Sequence, residues 1–507
     1  MVAAKDIDNA SELDMMLTLM QEMVIQYVRQ GQNETEPVVS FQDPGQLYKA
    51  MDFSLPTQGT GVEGMFVYLC TFELIKSTLK YSVNSWNPRF MDKLYAGTNP
   101  IGVISELLLA VLNSNVHVYH VSPVFTLMEI EVTKAVGQLL NMGENSGGLL
   151  CPGGSASNLL ALVTARNKLF PMIKSEGYFP RPMNPAASYG KLTVFTSLHS
   201  HYSIDKSAQV MGLGTDNIVK VPVDDIGRMQ VDELERLLLL SIDKGETPFF
   251  INATAGTTVL GAFDPIRKIS ALAKKYNCWL HVDGSWGGTV VFSDKVRAER
   301  EWFDGSELAD TFTLNPHKLL GVPLQCSMLV TPHQGHLLFA KANSLRADYL
   351  FHGNPYDLGA GTIGCGRRPD AAKVFLAWKF YGQQGLGARV DRALASAEEF
   401  TRLVKQRNSF VLVKDPSPFL QICFWFVPPQ LAQADKDFDL SVVTRELHRR
   451  VNQSGEFMVD HAPLVGKPDF FRIVVNAPTV NLHRDLERLL DAIEEANATV
   501  DWSTVQC

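Results

Sequence analysis

At 507 residues the chain exceeds what one compact core accommodates and holds two or three domains. Hydrophobic residues make up 46% and charged residues 20%, the balance of a soluble globular enzyme. A net charge of −8 with no basic block argues against a nucleic-acid partner, and no apolar run approaches the roughly 18 residues of a membrane span.

The start, Lys5-Asp6-Ile7-Asp8-Asn9, is polar and lacks the apolar stretch of a signal peptide. From Ser11 to Arg29 the residues Leu13, Met16, Leu17, Met20, Met23, Val24 and Tyr27 recur at helical spacing, with Ser11 as the expected N-cap. Such a stripe ahead of the main domain needs cover, and a partner subunit would supply it. Residues 31–60 read as connection, and helical patterns follow near 61–82 and 101–114. The middle of the chain then alternates β-prone runs (192–195, 218–221, 248–252, 278–283, 311–314 and 326–330) with helical patterns such as Val231 to Ser241 and Ile266 to Tyr276. This alternation predicts an α/β fold with a largely parallel sheet covered on both faces, binding ligands at the carboxyl ends of its strands. After about residue 375 come a helix (Ala388 to Gln406), strands at 410–413, 420–426 and 471–475, and a last helix from Leu482 to Ala496. The expected division is an N-terminal helical segment 1–95 packing on a partner subunit, a large α/β domain 96–375 and a small C-terminal α+β domain 376–507. The seven cysteines are odd in number, scattered and free of CxxC pairs, so a reducing, cytoplasmic location is expected and no zinc spacing is present.

Several strand ends carry chemistry. Asn315-Pro316-His317-Lys318 follows the run 311–314, where desolvation disfavours an ammonium and a neutral amine forms Schiff bases with aldehydes. Asp283 ends another buried run, and a carboxylate there needs a partner, such as a protonated ring nitrogen. Pro152-Gly153-Gly154-Ser155-Ala156-Ser157-Asn158 leads into a helix, where exposed N–H groups favour a phosphate. His201 follows a strand and offers a ring for stacking. His199 beside it lacks a third ligand at metal spacing, so no metal is expected. Thr254, after the run 248–252, offers a hydroxyl, and Arg472 sits among apolar residues where it needs an anion. Singly, each has a bland reading: a loop lysine, a turn-capping aspartate, a glycine turn, a core histidine, a structural ion pair. Together, lysine, carboxylate and glycine loop are what pyridoxal 5'-phosphate requires.

The stretches Asn315 to Lys318, His281 to Gly288 and Asn252 to Pro265 resemble the group II pyridoxal-phosphate decarboxylases, in the branch of glutamate and cysteine sulfinate decarboxylases. The likeness runs over about residues 65 to 495, through Ser122 to Glu129, Ser200 to Ser203, Tyr349-Leu350-Phe351, Cys365-Gly366-Arg367 and Phe470-Phe471-Arg472. It implies the aspartate-aminotransferase-like fold (fold type I), with a mostly parallel seven-stranded central sheet, and a homodimer. It also implies roles: Lys318 holding the cofactor, Asp283 on the pyridinium nitrogen, His201 stacked on the ring. Gly154, Ser155, Ala156, Thr254, Ser285, Asn315 and His317 would complete the cofactor site, and Arg472, Lys93 and Tyr95 would meet the substrate. The implied reaction is α-decarboxylation of a small acidic L-amino acid (aspartate, cysteine sulfinate or glutamate).

Three departures stand out. Gly284 and Ser285 replace two alanines usual after the aspartate. Lys93-Leu94-Tyr95 follows Pro88-Arg89-Phe90 where relatives carry other substrate-facing residues. The loop 352–364 is several residues shorter than in relatives, and its tyrosine, Tyr356, aligns with a position other than that of the tyrosine that protonates the substrate carbon. That loop keeps two alternatives open: decarboxylation with oxidative deamination or carbon–carbon bond formation, and a non-catalytic homologue.

Overall fold

The computed structural model describes residues 8–55, 57, 65–178, 189–345, 347–432 and 439–502, with backbone alone for 65–71 and 432. The start of the expected helical pattern, residues 61–64, lies outside this set, as does Cys507. The chain forms two compact units, one of Thr98–Ala395 with Lys414–Gln421, the other of Met1–Gly97, Ser396–Val413 and Ile422–Cys507. The expected divisions stand at 95/96 and 375/376; the chain passes between units after Gly97 and again at Ser396, inside the helix Ala371–Lys405.

In the large unit, β1 (Gly147–Cys151), β2 (Leu192–Ser197), β3 (Ile218–Val221), β4 (Thr247–Thr254), β5 (Trp279–Gly284), β6 (Thr311–Leu314) and β7 (Ser327–Thr331) form one sheet in the order β1-β7-β6-β5-β4-β2-β3. The pairs from β6 through β5, β4 and β2 to β3 are parallel, and β7 runs antiparallel to both its neighbours. Strands β1, β2, β5, β6 and β7 are buried along their whole length. A sheet sandwiched between helices requires this, which is why its strands read as unbroken apolar runs. Register sets Thr254 opposite Asp283 and Asp283 opposite Thr313, so β4, β5 and β6 finish at one level. Cys151, the end of β1, faces Ser327, the start of β7, so the glycine loop and the segment entering β7 open on that same edge.

In the smaller unit, β8 (Phe410–Leu412), β9 (Gln421–Phe426), β10 (Asp460–Leu464) and β11 (Lys467–Val474) form a sheet in the order β10-β11-β9-β8. Phe424 lies between Phe410 and Phe471, with ring centroids 5.4 Å and 5.6 Å away. The N-terminal helix spans Asn9–Gly31, and its cap is Asp8 rather than the expected Ser11. Asp8 Oδ1 accepts from the N–H groups of Ala10 (3.0 Å) and Ser11 (3.1 Å), and the Ser11 hydroxyl donates to Asp8 Oδ2. Arg89 of the Pro-Arg-Phe motif is buried and bonded to Glu456 (3.1 Å) and Asp485 (3.4 Å), a structural anchor.

Candidate active site

Asn315 leaves β6, Pro316 starts a one-turn helix, and Lys318 lies half-buried within it, its N–H donating to the Asn315 carbonyl at 3.0 Å. His317 ties this turn to β7, its Nδ1 lying 2.6 Å from the Cys326 carbonyl oxygen. Burial pushes the His317 pKa down to about 4. The fully buried Lys373 ammonium donates to the carbonyls of Pro323 (3.1 Å) and Gln325 (3.0 Å) and pairs with Asp370 (2.8 Å). It thereby fixes the segment entering β7.

A cavity of about 340 Å³ opens at this edge. Gly154, Ser155, His201, Thr254, Asp283, Ser285, Asn315, His317 and Lys318 all line it, together with Tyr202, Trp286 and Gln325. Ala156 is set apart, packed against the apolar core one step into the helix Gly154–Leu169. A Cβ on Gly154 would fall 2.4 Å from Ser285 Oγ and 2.9 Å from Asn315 Nδ2, so a side chain there would push the cradle apart.

Asp283 is buried, accepting from Asn158 Nδ2 at 2.8 Å and from the Ser285 N–H at 3.0 Å. Burial alone would raise its pKa; donation from Ser285 and the charges available on His201 and His281 outweigh that and hold the carboxyl below its ordinary range. His201 is held below its usual pKa by burial, which prevails over the pull of Asp283. Its Nδ1 accepts from the Ser203 N–H at 3.2 Å.

Four buried polar atoms of the cavity wall have no protein partner: Thr254 Oγ1, Ser285 Oγ, Trp286 Nε1 and Asn315 Oδ1. Each such atom costs about 1–3 kcal/mol unless something bonds it, so this wall is built for a polar guest. Two hydroxyls and an indole N–H beside a helix start suit a phosphate, and Asp283 with Lys318 suit a pyridine aldehyde.

The structure also gives the reason for Gly284. A Cβ there would lie 2.4 Å from Phe312 Cε1 and 2.8 Å from the Thr313 carbonyl. Gly284→Ala is therefore expected to destabilise the protein by about 1–3 kcal/mol, as overpacking does, read as a lower urea midpoint. Adding Phe312→Leu should recover part of the loss; an unchanged midpoint in the single variant would refute the account.

Arg472, Lys93 and Tyr95 belong to the smaller unit. Arg472 is buried on β11, paired with Asp460 and donating to the Asp92 carbonyl at 3.2 Å. Lys93 bridges Asp92 (3.0 Å) and Asp460 (3.2 Å). Two carboxylates thus compensate the two cations, and burial followed by Asp460 holds the Asp92 pKa up. Tyr95 packs on Phe90, ring centroids 5.5 Å apart. His448, Asp460 and His461 bring ligand atoms within 4.8 Å of one another, but the Asp460 carboxylate already serves Arg472 and Lys93.

In the short loop, Tyr356 packs on Tyr119 with centroids 5.5 Å apart, and Asp357 accepts from the Tyr119 N–H at 2.9 Å. Gly359 donates to the His117 carbonyl at 2.9 Å. The second half of the loop is thereby fixed to its own unit, and Tyr356 is absent from the residues lining the cavity.

Residues 44–427 match the family model described as the pyridoxal-dependent decarboxylase conserved domain. An L-aspartate decarboxylase of Metarhizium robertsii is 40% identical over 500 residues, covering 94% of this chain and 95% of that protein. A cysteine sulfinic acid decarboxylase of Rattus norvegicus is 37% identical over 482 residues, covering 93% of each. A glutamate decarboxylase of Drosophila melanogaster is 37% identical over 484 residues, covering 93% and 91%. The crystal structure of mouse CSAD superposes with a TM-score of 0.89 at 34% identity, covering 97% of this chain and 100% of that one.

Proposed function

The chain belongs to the pyridoxal-dependent decarboxylase family, and from that premise we propose that it releases the α-carboxylate of a small acidic L-amino acid (aspartate, cysteine sulfinate or glutamate) as CO2, leaving the amine. It is a carboxy-lyase of fold type I that uses pyridoxal 5'-phosphate. When bound, pyridoxal phosphate supplies an aldehyde for a lysine to capture and a protonated ring that accepts the electron pair of the broken bond. Lys318 would hold it. Gly154, Ser155, Thr254 and Ser285 would take the phosphate side, Asp283 would keep the ring nitrogen protonated, and His201 would cover one face. The single observation that carries this reading is the set of partnerless polar atoms arrayed with Lys318 and Asp283 around one cavity.

Purified enzyme supplied with cofactor should release CO2 from at least one of the three acids and yield the matching amine. Release from none of them, with cofactor demonstrably bound, overturns the proposal. The acidic substrate class draws on the relatives and on Lys93 and Arg472, and it makes Asp460 a competitor. An incoming carboxylate must share the Arg472 guanidinium with Asp460, so Asp460→Asn is expected to lower KM for the acid roughly tenfold, the scale of a charged hydrogen bond. An unchanged KM would remove Arg472 from the substrate site.

A second reading keeps the cofactor and changes the outcome. With Tyr356 held on Tyr119, no tyrosine of loop 352–364 lines the cavity, which favours decarboxylation coupled to deamination with molecular oxygen as the oxidant, releasing peroxide, or to carbon–carbon bond formation. Mass spectrometry of the products separates these, since an aldehyde or a coupled product replaces the simple amine. A homodimer completes the proposal. Leu13, Met16, Leu17, Leu19 and Ile25 on the N-terminal helix, and Ile104, Val111 and Leu112 on the helix Pro100–Leu112, are exposed apolar residues of the kind a second copy covers. A cytoplasmic location accords with the buried thiols of Cys151, Cys278 and Cys326, which form no disulfide; among the described residues no helix is long and apolar enough to cross a membrane.

A further inference from the structure

Behind Asp283 runs a line of buried polar side chains. Trp279 Nε1 lies 3.0 Å from Thr311 Oγ1, and Thr311 Oγ1 lies 2.9 Å from His281 Nδ1. His281 Nε2 lies 3.0 Å from Asn158 Oδ1, and Asn158 Nδ2 lies 2.8 Å from Asp283 Oδ2. Trp279, Thr311, His281, Asn158 and Asp283 are all buried, and β5–β6 pairing sets His281 directly opposite Thr311.

The direction of the line is fixed from both ends. An indole N–H only donates, so Thr311 accepts from Trp279, and its own proton faces His281 Nδ1 once the imidazole proton sits on Nε2, as the Asp283 end requires. His281 then carries its proton on Nε2 and donates to Asn158 Oδ1. That leaves the Asn158 amide to donate to Asp283, and an ionised carboxylate only accepts. The reverse arrangement would aim the amide oxygen of Asn158 at the carboxylate. Burial supports the neutral imidazole this requires, pushing the His281 pKa down to about 4. Such aligned bonds polarise one another in a low-dielectric interior.

We propose that Trp279, Thr311, His281 and Asn158 form a directional relay that positions Asp283 and keeps it ionised toward the ring nitrogen of the cofactor. These are positioning residues, and the inference rests on the assignment of Asp283 made above. The titratable groups facing Asp283 are His281 on its own strand, His201 beyond β2 and, acting on His201, Lys318 beyond β6. Only His281 is reached through Thr311, so changing Thr311 isolates the relay.

The experiment measures the dissociation constant of pyridoxal phosphate from the apoenzyme between pH 5 and 9, for wild type, Thr311→Val, Thr311→Ser, Trp279→Phe and Asp283→Asn. Thr311→Val keeps the shape and deletes the hydroxyl. It should weaken cofactor binding about 10- to 100-fold, the scale of outer-shell partners elsewhere, and raise by about one unit the pH below which the cofactor is lost. Thr311→Ser should bind as wild type does. A merely structural role for Thr311 would lower thermal stability without moving that pH midpoint. Trp279→Phe keeps the ring and removes only the first donor. It should shift the midpoint in the same direction by less, and it decides the matter if Thr311→Val fails to fold. Wild-type affinity and midpoint in the relay variants, with binding lost in Asp283→Asn, overturn the relay. Wild-type binding in Asp283→Asn as well overturns the assignment of Asp283 itself.

Discussion

Replacing Lys318 by alanine is expected to cut CO2 release more than about 10³-fold while the protein still folds. The fold should persist because Lys318 is half-buried on a one-turn helix, held by Pro316, the Asn315 carbonyl and the His317 link to Cys326. None of those contacts uses the lysine amine. Activity should collapse because the amine is the group that would anchor the cofactor and carry protons at the reacting carbon, and no other lysine lines the cavity among its described residues. Two measurements check this together. The visible absorbance of a lysine-bound cofactor should vanish on adding pyridoxal phosphate to the variant, and ¹⁴CO2 release from the accepted acid should fall to background. The residues proposed for the phosphate do not include Lys318, so the cofactor should still bind, more weakly. Full decarboxylation by the variant would sink the assignment of the anchor, and with it the proposed chemistry.

The sequence exposes the parts of this site that sit where a pattern ends. Lys318 and Asp283 follow apolar runs that the sheet buries completely, and the glycine loop breaks a run and opens a helix. Residues inside elements are harder to see. His281 and Thr311 belong to different strands, and only the β5–β6 register makes them neighbours. Asn158 reads as an ordinary residue of a helix start, yet its amide faces Asp283. Asp460 hides in Asp460–Leu464, a stretch with a proline and no alternation, and the β10–β11 pairing sets it opposite Arg472. That pairing changes Arg472 from a cation in need of an anion to one that already has one. The strand β1 escapes for a related reason. Gly147-Gly148-Leu149-Leu150-Cys151 has no β-branched residue, and a Cβ on Gly148 would lie 2.0 Å from the Leu329 carbonyl. Its strand character comes from close approach to β7, a demand that local propensity does not record.

Acid should destabilise the apoenzyme before most of its carboxylates protonate. His281 and His317 are buried with pKa values pushed down to about 4, against 6.5 in an unfolded chain. Between those values the unfolded chain binds protons that the folded chain refuses, so stability rises with pH across this window and is fully present above 6.5. As pH falls from 6.5 toward 4, each histidine removes on the order of 3 kcal/mol, and the shift of Asp264 returns about as much as one of them. Burial also lowers the pKa of His199, His201, His336 and His448, which steepens the same slope. Asp264 opposes it, since burial raises its carboxyl to about 7, although two backbone N–H groups at 2.7 Å favour the ionised form. The urea midpoint of apoenzyme, followed by intrinsic fluorescence at pH 8, 7, 6 and 5, should stay level to about pH 7 and then fall steeply. His317→Gln should flatten the fall by close to one proton, because glutamine cannot take the charge that the unfolded histidine takes. A midpoint that holds level from pH 7 to 5 would mean that these imidazoles accept protons in place, and His281 could not then be the neutral link between Thr311 and Asn158.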